Sequence, residues 1–115
     1  MKALRISAVG DIEVIDIENK LEVIQDLVGG YIEYVDLSQD GVDMIINEEG
    51  KIYNLDYNLY ATLLYRATHL YKDDYIVGDV VIVGTDNYGE NRSLKDIEIS
   101  VVKKIIEDEL KKGEE

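Results

Sequence analysis

Asn58, Thr62, Tyr65 and His69 recur at i, i+4, i+7 and i+11, and Arg66 adjoins them. On a helix that spacing gathers an amide, a hydroxyl, a phenol ring and an imidazole onto one face, opposite most of the leucines. Together they can hydrogen-bond to, stack on and charge-pair with a nucleotide-like ligand. Arg92, at the start of the last expected helix, adds charge near that helix's dipole. Asn58, Thr62, Tyr65, Arg66 and Arg92 are therefore the expected ligand contacts, supplying amide, hydroxyl, stacking and phosphate interactions. The same periodicity also suits an ordinary solvated face that carries a tyrosine.

Other chemistry has few parts. His69 is the only histidine and there is no cysteine, so a catalytic triad, a thiolate nucleophile or a zinc site of the usual kinds cannot be assembled. Carboxylates cluster at Asp73/Asp74, Glu48/Glu49 and Glu107 to Glu109, but no EF-hand loop accompanies them, and solvated charge explains them. Residues 85–91, TDNYGEN, carry enough oxygen for a calcium loop and read better as a turn. No catalytic residue, metal or cofactor is expected. An enzyme that cleaves the ligand with carboxylates stays a third and weaker reading. The nine tyrosines, with no Phe or Trp, suit places where one end of a ring is buried and the other meets water or a partner. Most are expected in the core or at its edge.

The elements that must position these residues follow from periodicity. Ile76 to Gly84, IVGDVVIVG, is apolar at successive positions after Gly78 and Asp79, as a central strand covered on both faces requires. Lys2–Val9 and Ile12–Ile17 read as an opening hairpin around Gly10 and Asp11. Asn19 is placed to cap a first helix, Lys20 to Val28, with Glu22 reaching back and Gly29 and Gly30 ending it. Tyr31–Leu37, Val42–Asn47 and Lys51–Asn54 are expected as a meander of three strands. Asp56 caps the middle helix, Tyr57 to Leu70, and a connection follows over Tyr71 to Tyr75. Ser93, with Asp96 three residues on, caps a final helix; residues 97–102 also alternate as a strand would, but length and cap favour helix. The charged tail from Glu107 is expected to fray.

The result is one α+β domain over residues 1–115, with a mostly antiparallel sheet of five to six strands and three helices. At 115 residues it buries roughly two thirds of its unfolded surface. Neither a membrane span nor a secretory signal is visible. The net charge of −13 argues against duplex nucleic acid as a partner. That charge is uneven: residues 1–60 hold 13 acids against 4 bases, and residues 61–115 hold 12 against 8, so an anion site belongs in the second half.

Several stretches taken together carry a family likeness. LVGGYIE after the first helix, the NEEGK turn at Asn47–Lys51, YNLYATLLYR at Tyr57–Arg66, IVGDVVIVG and the RSL-led last helix resemble a family of small proteins of unknown function encoded by phages and mobile elements of bacteria. The likeness spans nearly the whole chain. It departs just before Asn58, where a proline-containing turn is usual and this chain has Asp56 and Tyr57. The resemblance implies the bacterial host cytosol as the setting. It also implies a counter-defence role in which a non-enzymatic protein, possible as a homo-oligomer, sequesters a small nucleotide-derived or phosphorylated ligand such as a host immune signal. The alternative is an acidic inhibitor that occupies a basic surface of a host protein.

Overall fold

The computed structural model describes residues 1–39, 41–69 and 73–113. Six strands form one antiparallel sheet and three helices cover it, in the order β1 (Lys2–Ile6), β2 (Ile12–Asp16), α1 (Leu21–Val28), β3 (Ile32–Gln39), β4 (Val42–Asn47), α2 (Leu59–Thr68), β5 (Val80–Thr85), β6 (Asn91–Arg92) and α3 (Asp96–Gly113). The sheet runs β2-β1-β5-β4-β3, with β6 paired to β5. Val80 and Ile82 face α2 and α3, while Val81 and Val83 face α1. A strand apolar on both sides has its lowest free energy between two covered faces, and that places β5 at the centre. Among the described residues no helix is long and apolar enough to cross a membrane.

Four local expectations are corrected. Lys51–Asn54 forms no strand, because Tyr53 N donates to Glu49 O, Asn54 N to Lys51 O and Leu55 N to Gly50 O, which coils the segment into successive turns. The meander is thus two strands, β3 and β4. Asn19 makes no cap: α1 starts after Lys20, and the Asn19 amide exchanges hydrogen bonds with Asn91 instead. Ser93 makes none either, since its Oγ accepts from Lys2 N. Glu98 closes α3 by accepting from Lys95 N. The central strand begins at Val80, not Ile76, because Gly78 sits at φ +77° and turns the chain there.

Helix α1 ends at Gly29, φ +84°, as its sequence requires. Residues 97–102 are helical, and α3 continues past Glu107 to Gly113, braced by Lys111 and Glu107 at 3.0 Å and by Lys104 and Asp108 at 3.0 Å. Residues 114–115 of the expected frayed tail lie outside the described residues, as do Leu70, Tyr71 and Lys72. Most tyrosines are not core residues: Tyr31, Tyr34, Tyr53, Tyr57, Tyr75 and Tyr88 are exposed, and Tyr60 and Tyr65 are half-buried.

Candidate functional site

Asn58, not Asp56, caps α2. Its Oδ1 accepts from Ala61 N at 3.0 Å, while its Nδ2 donates to Ile6 O at 3.0 Å and Gly78 O at 2.8 Å. The side chain is fully buried, so every hydrogen-bonding position it has is turned to the protein. Thr62 is fully buried as well; its Oγ1 accepts from Ile76 N at 2.9 Å and lies 3.3 Å from Ile76 O. These two residues stitch α2 to the segment leading into β5. They do not face a ligand, and the expected stripe is corrected at its first half: the face carrying Asn58 and Thr62 is pressed onto the sheet beside Ala61 and Leu64.

Arg92 is also committed internally. Its two terminal nitrogens each donate to one oxygen of Glu98 at 2.8 Å, and they reach Ser93 O at 2.9 Å and Gly41 O at 3.1 Å. Gly84 makes room for this side chain. A Cβ there would stand 2.7 Å from Arg92 Cζ and 2.8 Å from its Cγ. The bidentate fork, with the Lys95 amide behind it, holds the Glu98 carboxyl at about 2, well below its ordinary 4.5 and against the opposing effect of burial. Arg92 is accordingly a clamp between α3 and the β3–β4 turn, not an anion contact.

The second half of the stripe behaves differently. A cleft of about 440 Å³ opens between the C-terminal end of α2, the edge strand β3 with its neighbour β4, and residues 74–77. Tyr65 and His69 form one wall, their rings stacked with centroids 4.1 Å apart and planes at 19°. His69 Nδ1 lies 2.8 Å from Tyr65 O. A carbonyl only accepts, so Nδ1 carries a hydrogen and donates it to that oxygen. Strand β3 contributes Glu33 and Val35, which alternation places on the same face, and Ile46 of β4 completes the floor.

Residues far apart in sequence close the opposite side. Lys51 pairs with Asp74 and sits 4.4 Å above the Tyr75 ring, which is itself tilted against Tyr57 at 6.1 Å. Lys51, and then the Tyr75 amide, lower the Asp74 carboxyl below its usual range. Arg66 stands outside the cleft lining and supports it, its Nε donating to Asp74 O at 3.1 Å. Glu33 and Glu48 reach the cleft with no cationic partner among the described residues. Its charge is thus acidic on balance, with Lys51 the one base lining it among those residues.

Of the five expected contacts, the cleft takes in Tyr65 directly and Arg66 through Asp74, and leaves out Asn58, Thr62 and Arg92. Sequence reasoning passed over Glu33, Glu48, Lys51, Asp74 and Tyr75. Alternation along β3 was a usable signal for Glu33, whereas nothing local joins Lys51 to Asp74. Among the described residues no three His, Asp or Glu side chains gather as a metal site.

No curated protein and no solved structure significantly matches this sequence. A family model described as a domain of unknown function, DUF3846, matches residues 1–107, and the chain belongs to that family.

Proposed function

We propose that this is a non-enzymatic binding protein that captures a small, planar, nucleotide-derived ligand in the cleft between α2 and the β3–β4 edge. The stacked Tyr65–His69 pair carries the reading. A stacked ring pair fixed by a backbone hydrogen bond offers a rigid aromatic surface, and the cleft's volume falls within the range of about 300–1,000 Å³ used for small ligands. Aromatic stacking contributes roughly 1–3 kcal/mol per base in single-stranded nucleic-acid sites, and preorganisation of the rings limits the entropy lost on binding. Sequestration of a nucleotide signal in a bacterial host cytosol, in a phage or mobile-element setting, is the biological role this capture would serve.

Native mass spectrometry and melting curves with a panel of nucleosides and nucleotides test the reading. Tyr65→Ala should abolish any ligand-induced rise in melting temperature while lowering the ligand-free melting temperature only slightly. Full ligand response in that variant would refute the stacking wall.

A second reading rests on a separate observation. Around the C-terminus of α1, Asp26 and Glu49 line an open concavity with the exposed rings of Tyr31 and Tyr53, and no base lies in the helix's last turn. Unrelieved negative charge at the negative end of a helix dipole, flanked by aromatic rings, favours contact with a basic protein surface. Binding of this kind weakens steeply with salt, whereas stacking does not.

A further inference from the structure

The C-terminal end of α1 borders two concavities, and Asp26 and Gly29 line both. The larger, about 630 Å³, is the one flanked by the exposed Tyr31 and Tyr53 rings and by Glu49; the smaller, about 310 Å³, is lined by Leu27, Asp56 and Asp79. Among the described residues no lysine, arginine or histidine lines either one. Asp79 is committed, since it accepts from Arg5 at 2.7 Å and from Ala8 N at 2.9 Å. Asp26, Glu49 and Asp56 have no cationic partner among the described residues. The backbone adds further acceptors. Gly29 N and Gly30 N both donate to Gln25 O, at 2.8 and 3.1 Å, so the carbonyls of Asp26 and Leu27 receive no hydrogen bond among those residues. Both oxygens lie at the negative end of the helix, whose last turn carries no base.

Carbonyls and ionised carboxylates only accept hydrogen bonds, and the faces of tyrosine rings attract cations, so both concavities call for positively charged donors. Resting on the basic-surface reading, we infer that the partner is a protein presenting an exposed segment with two basic side chains, one for each side of the α1 terminus. An arginine enters the larger concavity, where its planar guanidinium stacks on Tyr31 or Tyr53 and pairs with Asp26 or Glu49. The second base takes the smaller concavity, beside Asp56 and the open end of the helix. A metal ion fits less well, because among the described residues no three acidic or histidine side chains gather to hold one. Each contact alone is weak, being exposed and screened by salt. Carried on one segment, the second contact forms at the effective concentration set by the first, and the pair binds about tenfold or more tighter than either alone.

Titration calorimetry on the intact protein provides the test, with blocked glycine-rich peptides carrying one arginine, two arginines at increasing spacing, or two lysines at the same spacings, and with spermidine as a cation that has no guanidinium. The best two-arginine peptide should bind about tenfold or more tighter than the one-arginine peptide, and about twofold to fivefold tighter than its lysine counterpart. It should also exceed spermidine and lose affinity as salt rises. In proton–nitrogen spectra it should shift the amides of Gly29, Gly30 and Tyr31 together with those of Asp56 and Gly78. Tyr31→Ala combined with Tyr53→Ala should remove the preference for arginine over lysine. Asp26→Asn combined with Glu49→Gln should weaken the two-arginine peptide about tenfold, whereas Glu22→Gln with Glu90→Gln, which removes as much charge outside both concavities, should weaken it less than about twofold. Equal losses in those two pairs would trace binding to net charge and overturn both the inference and the basic-surface reading. A loss confined to the Asp26 and Glu49 pair, with no advantage of two arginines over one or over spermidine, overturns the two-point segment and leaves the basic-surface reading standing. Binding of no peptide at all overturns both.

Discussion

Replacing Asn58 by alanine separates the structural role of this residue from a ligand-binding one. In the folded protein its side chain supplies an acceptor to Ala61 N and donors to Ile6 O and Gly78 O, all in a fully buried setting. The truncation removes the α2 cap, worth about 1 kcal/mol. It also strands the Gly78 carbonyl in the interior, at about 1–3 kcal/mol for a buried unsatisfied group. The expected loss is about 3 kcal/mol, a large part of the roughly 5–15 kcal/mol that holds a domain of this kind folded. With a urea slope of about 1.5 kcal/mol per molar, the unfolding midpoint followed by circular dichroism should fall by about 2 M at unchanged slope. Asn58→Asp is an informative companion, because it keeps the cap acceptor while setting an acceptor against two carbonyls. It should be at least as unstable near neutral pH and should recover partly in acid, where a protonated carboxyl regains one donor. A midpoint shift below about 0.3 M for Asn58→Ala, accompanied by lost ligand response, would refute the stitching argument and return Asn58 to a binding role.

Other outcomes follow from the same geometry. Glu98 titrates at about 2 in the folded chain against an ordinary 4.5, so its pairing stabilises the fold fully above about pH 4.5 and is lost as pH falls toward 2. Glu98→Gln should therefore cost on the order of 3 kcal/mol at pH 7, and its urea midpoint should approach that of the wild type as pH falls to about 2. A gap that is independent of pH would disprove the clamp. Gly84→Ala should displace the Arg92 side chain and raise the Glu98 carboxyl toward 4.5, readable by carbon-detected NMR titration; an unchanged midpoint would show that the side chain re-routes freely. Thr62→Val preserves shape but orphans Ile76 N, and calorimetry should report a loss of about 1–3 kcal/mol. Arg66→Ala should weaken ligand binding only through the Asp74 segment it anchors, so a partial loss in titration, and not abolition, is expected.

Much of the architecture is legible in the sequence. Continuous apolar character at Val80–Val83 marks a strand buried on both faces, and the structure places it at the sheet's centre. The amphipathic helix expected over Lys20 to Val28 forms at Leu21–Val28 and ends at its glycine. What misled was every polar side chain with two suitors. Asn19 and Ser93 are competent caps by type and position, yet Asn91 and the Lys2 amide claim them, from 72 and 91 residues away. Lys51–Asn54 has the pattern of a strand in sequence, because turn hydrogen bonds formed backward to Glu49, Gly50 and Lys51 leave no signature in alternation.

The candidate site shows the division most sharply. Periodicity places Thr62 and Tyr65 on one side of α2, with Asn58 and His69 at its two caps, because helix geometry is local and nearly constant. Which part of that face meets the sheet depends on partners at Ile6, Ile76 and Gly78, chosen only when the β-sheet assembles beneath the helix. The sequence by itself therefore determined the three helices, most of the strands with the central one among them, the acidic balance and the scarcity of cysteine and histidine. Tertiary structure alone decided that Asn58 and Thr62 are internal stitches, that Arg92 is spent on Glu98, and that Glu33, Glu48, Lys51 and Asp74 converge around the Tyr65–His69 wall. Local periodicity follows from the backbone of a few neighbouring residues. Convergence across the chain requires the summed burial of two apolar layers, and no short stretch of sequence contains it.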